Sequence, residues 1–157
     1  MLLLGAFAGV MATVTADTWA TELGVLSTHA PRSITTMRPV APGTSGGVTL
    51  LGLLASALGA LLIGLILLFG MGLEHGLWLP RLIPAVLLGG LLGSLLDSWL
   101  GATLQAMYRG PHGETERRYT TKGQPNSIQR GLPWMNNDLV NMLSSVAGAL
   151  GAMLFFL

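Results

Sequence analysis

The segment Val48–Met71, VTLLGLLASALGALLIGLILLFGM, decides the fold because it is apolar throughout and carries no charged side chain. A helix that crosses the hydrocarbon core of a bilayer needs about 20 mostly apolar residues. Three more segments meet this requirement, at approximately residues 2–19, 82–107 and 139–157. The sequence therefore predicts an all-α protein, a polytopic membrane helix bundle with about four transmembrane helices.

The composition supports one membrane domain over residues 1–157. Hydrophobic residues make up 51% of the chain and charged residues only 10%, whereas a soluble domain carries roughly 25% charged residues. The absence of cysteine excludes disulfides, thiolate metal sites and cysteine nucleophiles. His29, His75 and His112 are far apart in predicted loops, which argues against a histidine metal site. The few basic residues flank the spans, and we expect no nucleic-acid partner.

The loops predict the orientation. With four spans, the loops at 21–47 and 108–138 share one side of the membrane, and together they hold seven of the eight Lys and Arg residues. Because cytoplasmic loops are enriched in Lys and Arg, these two loops are predicted to be cytoplasmic. We therefore expect an integral protein of the cytoplasmic (inner) membrane whose active face is cytoplasmic.

Three carboxylates lie in or beside the spans on this predicted face. Asp17 is near the end of the first span, Glu22 follows it, and Asp97 lies in the inner half of the third span. A charge at the centre of a membrane helix costs at least roughly 2.5–3.5 kcal/mol, so such residues are functional candidates. We predict that Asp17, Glu22 and Asp97 are catalytic. Mg2+ often binds one or two carboxylates together with substrate phosphates, so Asp17 and Asp97 are the predicted metal ligands.

A glycine- and hydroxyl-rich stretch, Pro42–Gly47, precedes the second span. Flexible backbone N–H groups, two hydroxyls and a following helix N-terminus suit phosphate oxygens. The stretch lacks the Gly-Lys-Ser/Thr ending of a Walker A loop, and a plain linker would look similar. The predicted nucleotide- and phosphate-binding residues are those of this stretch and two nearby arginines: Gly43, Thr44, Ser45, Gly46, Gly47, Arg32 and Arg38.

Polar residues also open the fourth span. Asn137 and Asn141 are one helical turn apart, and Asp138 lies between them. With Ser98 in the third span, these residues are the predicted substrate-orienting group. For Asp138 the alternative is a helix cap or an acid in the first helical turn.

Four ordered motifs resemble one integral membrane family. They are ADTWATELG at Ala16–Gly24, PGTSGGV at Pro42–Val48, GSLLDS at Gly93–Ser98 and NDLVN at Asn137–Asn141. The family, formerly of unknown function, includes the chloroplast phytyl-phosphate kinase of vitamin E synthesis, and more distantly it is similar to dolichol kinase and phosphatidate cytidylyltransferase.

The resemblance implies a prenyl-phosphate kinase that uses Mg2+. Such an enzyme transfers a phosphoryl group from CTP or another nucleoside triphosphate to a prenyl (phytyl-like) monophosphate in the bilayer. Members of the family usually carry further helices before the Asp-Thr-Trp-Ala motif, so we expect this chain to be shortened at its N-terminus.

Other functions stay open at this point. Cytidylyl transfer to a lipid phosphate needs the same groups as kinase chemistry. An intramembrane carboxylate among glycine-rich helices is also typical of a channel or transporter for an ion or small anion. A third possibility is a non-catalytic membrane fragment that needs a partner, or a homo-oligomer in which a second copy completes the site.

Overall fold

The computed structural model describes residues 1–110 and 113–157 and has four long helices. They are α1 (Leu2–Gly24), α2 (Leu50–His75), α3 (Leu82–Thr103) and α4 (Asn137–Met153), and α4 continues into a 3-10 turn at Leu154–Phe156. All four are long and apolar enough to cross a membrane. This confirms the predicted polytopic helix bundle.

The helix ends follow local sequence signals. Thr49 caps α2, because its Oγ1 accepts a hydrogen bond from the N–H of Gly52 at 2.9 Å. α2 ends at Gly76, whose φ of 67° is a left-handed conformation that glycine adopts without strain. Asn136 caps α4 by accepting from the N–H of Leu139 at 2.9 Å. α3 ends at Thr103, short of the predicted boundary at residue 107.

The bundle is arranged around α1 and α3. These two helices pack on each other, and both pack against α2 and against α4. Small residues allow the close approach: a Cβ on Gly89 would lie 2.6 Å from the carbonyl oxygen of Gly148. Thr13 ties α1 to α3 by donating to the carbonyl oxygen of Gly89 at 3.2 Å. Close backbone packing through small residues is the usual way that helices associate in lipid.

The helices alternate in direction, so the bundle has two different ends. The polar end is formed by the C-termini of α1 and α3 and the N-termini of α2 and α4. The apolar end is formed by the opposite helix termini and the short connection between α2 and α3. At the apolar end Leu82 and Val86 of α3 are buried, with Phe156 of the terminal turn beside them.

Two small antiparallel sheets, which the sequence did not predict, lie in the long connections of the polar end. β1 (Arg32–Ser33) pairs with β2 (Gly47–Val48). β3 (Met107–Gly110) lies between β4 (Gly113–Thr115) and β5 (Ile128–Arg130). Both connections therefore fold back on themselves, which brings their polar side chains over the helix ends.

Candidate functional site

A cavity of about 670 Å³ lies at the polar end of the bundle. All four helices contribute to its wall, together with the segment between α1 and α2. Eleven of the predicted site residues line it: Asp17, Glu22, Gly43, Thr44, Ser45, Gly46, Gly47, Asp97, Ser98, Asn137 and Asn141. Residues that are distant in sequence thus meet in one volume large enough for a nucleotide-sized ligand.

Asp17 and Asp97 face this cavity from α1 and α3, and each is held by a serine of a neighbouring helix. Ser94 of α3 donates to Oδ1 of Asp17 at 3.4 Å. Oγ of Ser144 of α4 lies within hydrogen-bond distance of two acceptors, Oδ2 of Asp97 at 3.1 Å and the carbonyl oxygen of Val140 at 2.8 Å. In the hydrogen bonds of the described residues, the other oxygen of each carboxylate is not engaged. Each carboxylate therefore has one oxygen beside a serine hydroxyl and one oxygen without a hydrogen bond.

A third buried serine extends this network into α2. The Oγ of Ser56 lies 3.2 Å from the Oγ of Ser94 and donates to the carbonyl oxygen of Ala16 at 3.1 Å. Ser56 and Ser94 are both buried, and both also line the cavity floor. Buried hydroxyls without partners would destabilise the fold. Here they connect α1, α2 and α3 directly beneath Asp17.

The glycine loop, Pro42–Gly47, forms another part of the wall. Gly43 and Gly46 have φ values of 82° and 79°, in the left-handed region. The N–H groups of Thr44 and Gly47 close turns within the loop. Those of Ser45 and Gly46 make no backbone hydrogen bond to any described residue. Two adjacent free N–H groups of this kind can bind an anion.

Three predicted site residues lie outside the cavity wall. Nη1 of Arg32 donates to the carbonyl oxygen of Met37 at 2.8 Å, so this side chain closes its own turn. Arg38 belongs to the same turn and is exposed. Asp138 is exposed in the first turn of α4, where a carboxylate interacts favourably with the helix dipole. The roles predicted for these three residues stay predictions, and in this structure none of the three lines the cavity.

The structure adds residues that the sequence argument did not select. Gln105 and Glu116 line the cavity, as do Ser56 and Ser94. Gln105 carried one signal, a polar amide side chain near the end of the predicted third span. Glu116 carried none, because it reaches the cavity only through the folding of the connection between α3 and α4. His112 lies outside the described residues.

The charges of the cavity wall are unbalanced. Among the described lining residues, four are carboxylates, Asp17, Glu22, Asp97 and Glu116, and no Lys or Arg is present. His29, which the sequence argument set aside, is the lining side chain that could carry a positive charge. A phosphate ligand in this cavity would meet strong repulsion unless it arrived with cations.

The donor set suits Mg2+ better than a metal held by protein alone. No group of three or more His, Asp or Glu close enough to hold a metal occurs in residues 1–110 and 113–157. Mg2+ retains several waters and is usually bound by one or two carboxylates together with substrate phosphates. The free oxygens of Asp17 and Asp97, in a cavity without competing cations, fit that mode of binding.

Comparison with known proteins identifies the family to which the chain belongs. The model of the integral membrane protein family DUF92 matches residues 1–149. Protein PGR of Arabidopsis thaliana is 40% identical over 151 residues, which cover 90% of this chain and 51% of that protein. An uncharacterized membrane protein of Methanocaldococcus jannaschii is 53% identical over 62 residues, which cover 38% of this chain and 26% of that protein.

The chain thus spans about half the length of the plant relative and about a quarter of the archaeal one. No solved structure matches it. The family match and the four apolar helices agree that this is an integral membrane protein in a lipid bilayer. The chain belongs to the DUF92 family of integral membrane proteins.

Proposed function

We propose that this protein is a membrane prenyl-phosphate kinase, which transfers the terminal phosphoryl group of CTP or another nucleoside triphosphate to a prenyl monophosphate. One observation carries the proposal. The cavity at the polar end of the bundle brings Asp17, Asp97 and the glycine loop together. Phosphoryl transfer needs mainly positioning and charge stabilisation, and these groups can supply both.

Asp17 and Asp97 would hold Mg2+, and bound Mg2+ would offset the negative charge of the phosphate oxygens. Ser94 and Ser144 each contact one oxygen of a carboxylate, and both aspartates line the cavity, so the second oxygen of each would be the metal ligand. Glu22, exposed at the cavity wall, adds negative charge that favours a metal-bound nucleotide over a free one. This accounts for a phosphate site without arginine or lysine in its described wall.

The glycine loop would bind the triphosphate through the free N–H groups of Ser45 and Gly46. Its position at the N-terminus of α2 adds the favourable end of a helix dipole. The hydroxyls of Thr44 and Ser98, which also line the cavity, are further donors to phosphate oxygens. Together they hold the nucleotide at the polar end, where it enters from water.

The lipid substrate would approach from the bilayer. Leu53 of α2 and Leu95 of α3 line the cavity, and Leu95 is 38% exposed. A prenyl chain along these leucines would place its phosphate near Asp97, with Asn137 and Asn141 as donors to the phosphate oxygens. An oxygen of the lipid monophosphate then attacks the terminal phosphorus, and the bond to the bridging oxygen breaks. The products are a prenyl diphosphate and a nucleoside diphosphate.

The packing of the apolar end argues against a transport function. A channel or transporter needs a polar path across the membrane. In the part of the chain that the structure describes, the core beyond the cavity is filled by apolar side chains, among them Leu82, Val86 and Phe156. The cavity therefore opens at one end of the bundle, as an enzyme site at a membrane surface does.

Turnover by purified protein tests the proposal. The monodisperse protein would be incubated with Mg2+, CTP or ATP, and phytyl or geranylgeranyl monophosphate, and the lipid analysed by mass spectrometry. We expect a prenyl diphosphate, and no product when Mg2+ is removed by a chelator. Formation of a CDP-lipid would mean that the reaction at this site is cytidylyl transfer. No product from folded protein, with either nucleotide and either lipid, would contradict the proposal for this chain.

A further inference from the structure

Arg130, at the end of β5, makes an unusual set of contacts outside the cavity wall. Its Nε and Nη2 donate to the two carboxylate oxygens of Glu114 at 2.7 and 3.1 Å. Its Nη1 donates to the carbonyl oxygens of Gly101 and Ala102 at 2.9 and 3.0 Å. Its Nη2 also lies 3.5 Å from the carbonyl oxygen of Ser45. One guanidinium thus joins the three-stranded sheet, the end of α3 and the glycine loop.

These contacts use groups that a membrane helix leaves without partners. The last carbonyls of a helix have no intrahelical donor, and in α3 two of them accept from Arg130. The paired oxygens of Glu114 fix the plane of the guanidinium, which matches a carboxylate in a forked geometry that lysine cannot reproduce. The side chain is therefore held by Glu114 while it contacts the loop.

Gln105 contacts the same loop residue from inside the protein. Its side chain is buried, with 2% of the residue exposed. Its Oε1 accepts from Oγ of Ser45 at 3.3 Å, and its Nε2 donates to Oδ1 of Asn137 at 3.4 Å. Ser45 is thus contacted twice, at its carbonyl by Arg130 and at its hydroxyl by Gln105.

The loop is also pressed closely onto α3. A Cβ on Gly46 would lie 2.7 Å from both the carbonyl oxygen of Ser98 and the Cα of Ala102. A Cβ on Gly101 would lie 2.6 Å from Oγ of Ser45. The absence of side chains at these two glycines lets the loop backbone touch α3 about one turn beyond Asp97.

We propose that Arg130 and Gln105 are positioning residues that fix Ser45 and Gly46 relative to Asp97, and so set the geometry of the nucleotide-phosphate site. The role in turnover rests on the proposed kinase function. The fixing of the loop itself does not. Neither residue needs to touch the substrate: they act through the glycine loop, whose residues Ser45 and Gly46 line the cavity.

Hydrogen exchange of the full-length chain in detergent tests the fixing of the loop without any substrate. We expect Arg130→Gln to raise amide exchange in residues 42–47 by roughly tenfold and to leave α1 and α2 unchanged. Arg130→Lys should give nearly the same rise, because lysine lacks the fork. Arg109→Gln, an exposed arginine of the same sheet, is the matched control and should change nothing. Unchanged exchange in 42–47 would overturn the inference.

Steady-state kinetics test whether the position of the glycine loop affects nucleotide binding. Because the loop is the proposed nucleotide site, Arg130→Gln should raise KM for the nucleotide by roughly five- to tenfold and leave KM for the prenyl monophosphate unchanged. Equal rises in both KM values would overturn the positioning role. If Arg130→Gln does not fold, Gln105→Met carries the exchange test, since it keeps the volume and removes the hydrogen bond to Ser45, and Arg130→Lys, which keeps the charge, carries the kinetic test. Faster exchange in 42–47 with an inactive wild type would support the fixing of the loop and contradict the kinase function.

Discussion

The two ends of the bundle are built by the same four helices and contrast in what fills them. At the apolar end, the guanidinium of Arg81 lies 4.6 Å from the ring centroid of Phe156, and the ring of Trp78 packs edge-on against Phe69 at 5.9 Å. At the polar end, carboxylates and hydroxyls surround a cavity of about 670 Å³. Large side chains close one end, whereas small residues and hydrogen bonds keep the other end open.

The contrast between the two ends shows how a small membrane bundle can accommodate charged side chains. Apolar packing at one end and close glycine contacts in the middle hold the helices together, and buried serines link them at the cavity. The carboxylates can then occupy the open end, where each is held by a serine and reached by ligands. If this division is correct, changes at the polar end alter ligand binding and turnover, whereas matched changes elsewhere do not.

The largest expected effect is that of Asp97→Asn. A neutral amide is a poor Mg2+ ligand, so turnover should fall by roughly a hundredfold or more while the protein stays folded. The measurement is the initial rate of lipid diphosphate formation, with size-exclusion and circular dichroism checks of folding. Glu74→Gln is the control carboxylate at the apolar end, and its rate should match wild type. An active Asp97→Asn protein would remove Asp97 from the site.

Ser144→Ala tests whether the hydroxyl of Ser144 orients the carboxylate of Asp97 at the polar end. Loss of the hydrogen bond to Asp97 should raise the Mg2+ concentration for half-maximal turnover roughly tenfold, as for other outer-shell partners of metal ligands. A Mg2+ titration of the initial rate measures this. Ser145→Ala removes the neighbouring hydroxyl and should leave the titration unchanged. Identical titrations for both variants would mean that Ser144 does not orient Asp97.

Leu95→Trp tests the approach of the lipid chain. A larger side chain at this cavity wall should lower kcat/KM for geranylgeranyl monophosphate roughly fivefold relative to a short-chain prenyl monophosphate. The ratio of the two kcat/KM values is the measurement, and Leu88→Trp, also exposed on α3, is the control. An equal change of this ratio in both variants would mean that the prenyl chain does not lie along Leu95.

The smallest expected effect is that of Arg32→Gln combined with Arg38→Gln. Both side chains are exposed and neither lines the cavity, and the interactions of exposed charges are screened by salt. At 0.15 M salt the KM for the nucleotide should change less than about twofold. A larger rise would mean that these arginines reach the nucleotide, as the sequence alone suggested.

The sequence predicted the features that hydropathy controls. The four spans follow from long apolar runs, and Asp17 and Asp97 stood out because a charge in such a run is costly. The glycine loop was visible from its composition. These features are local in sequence, so no knowledge of tertiary contacts was required.

The remaining features depend on tertiary contacts. Arg130 and Glu114 lie in a polar connection whose composition gave no sign of a three-stranded sheet, and their ion pair forms only once that sheet folds. Glu116 enters the cavity for the same reason. Arg32 was expected at the phosphates, but a carbonyl five residues later holds its side chain. Short polar strands carry too little periodicity to be predicted from sequence.

The most direct test of the central claim is to follow the terminal phosphate of the nucleotide. Purified protein would be given Mg2+, a prenyl monophosphate and CTP or ATP labelled with 18O in the terminal phosphoryl group, and all products would be analysed by mass spectrometry. We expect the label in a prenyl diphosphate, together with an unlabelled nucleoside diphosphate. Label in released pyrophosphate, together with a nucleotide-linked lipid, would contradict it.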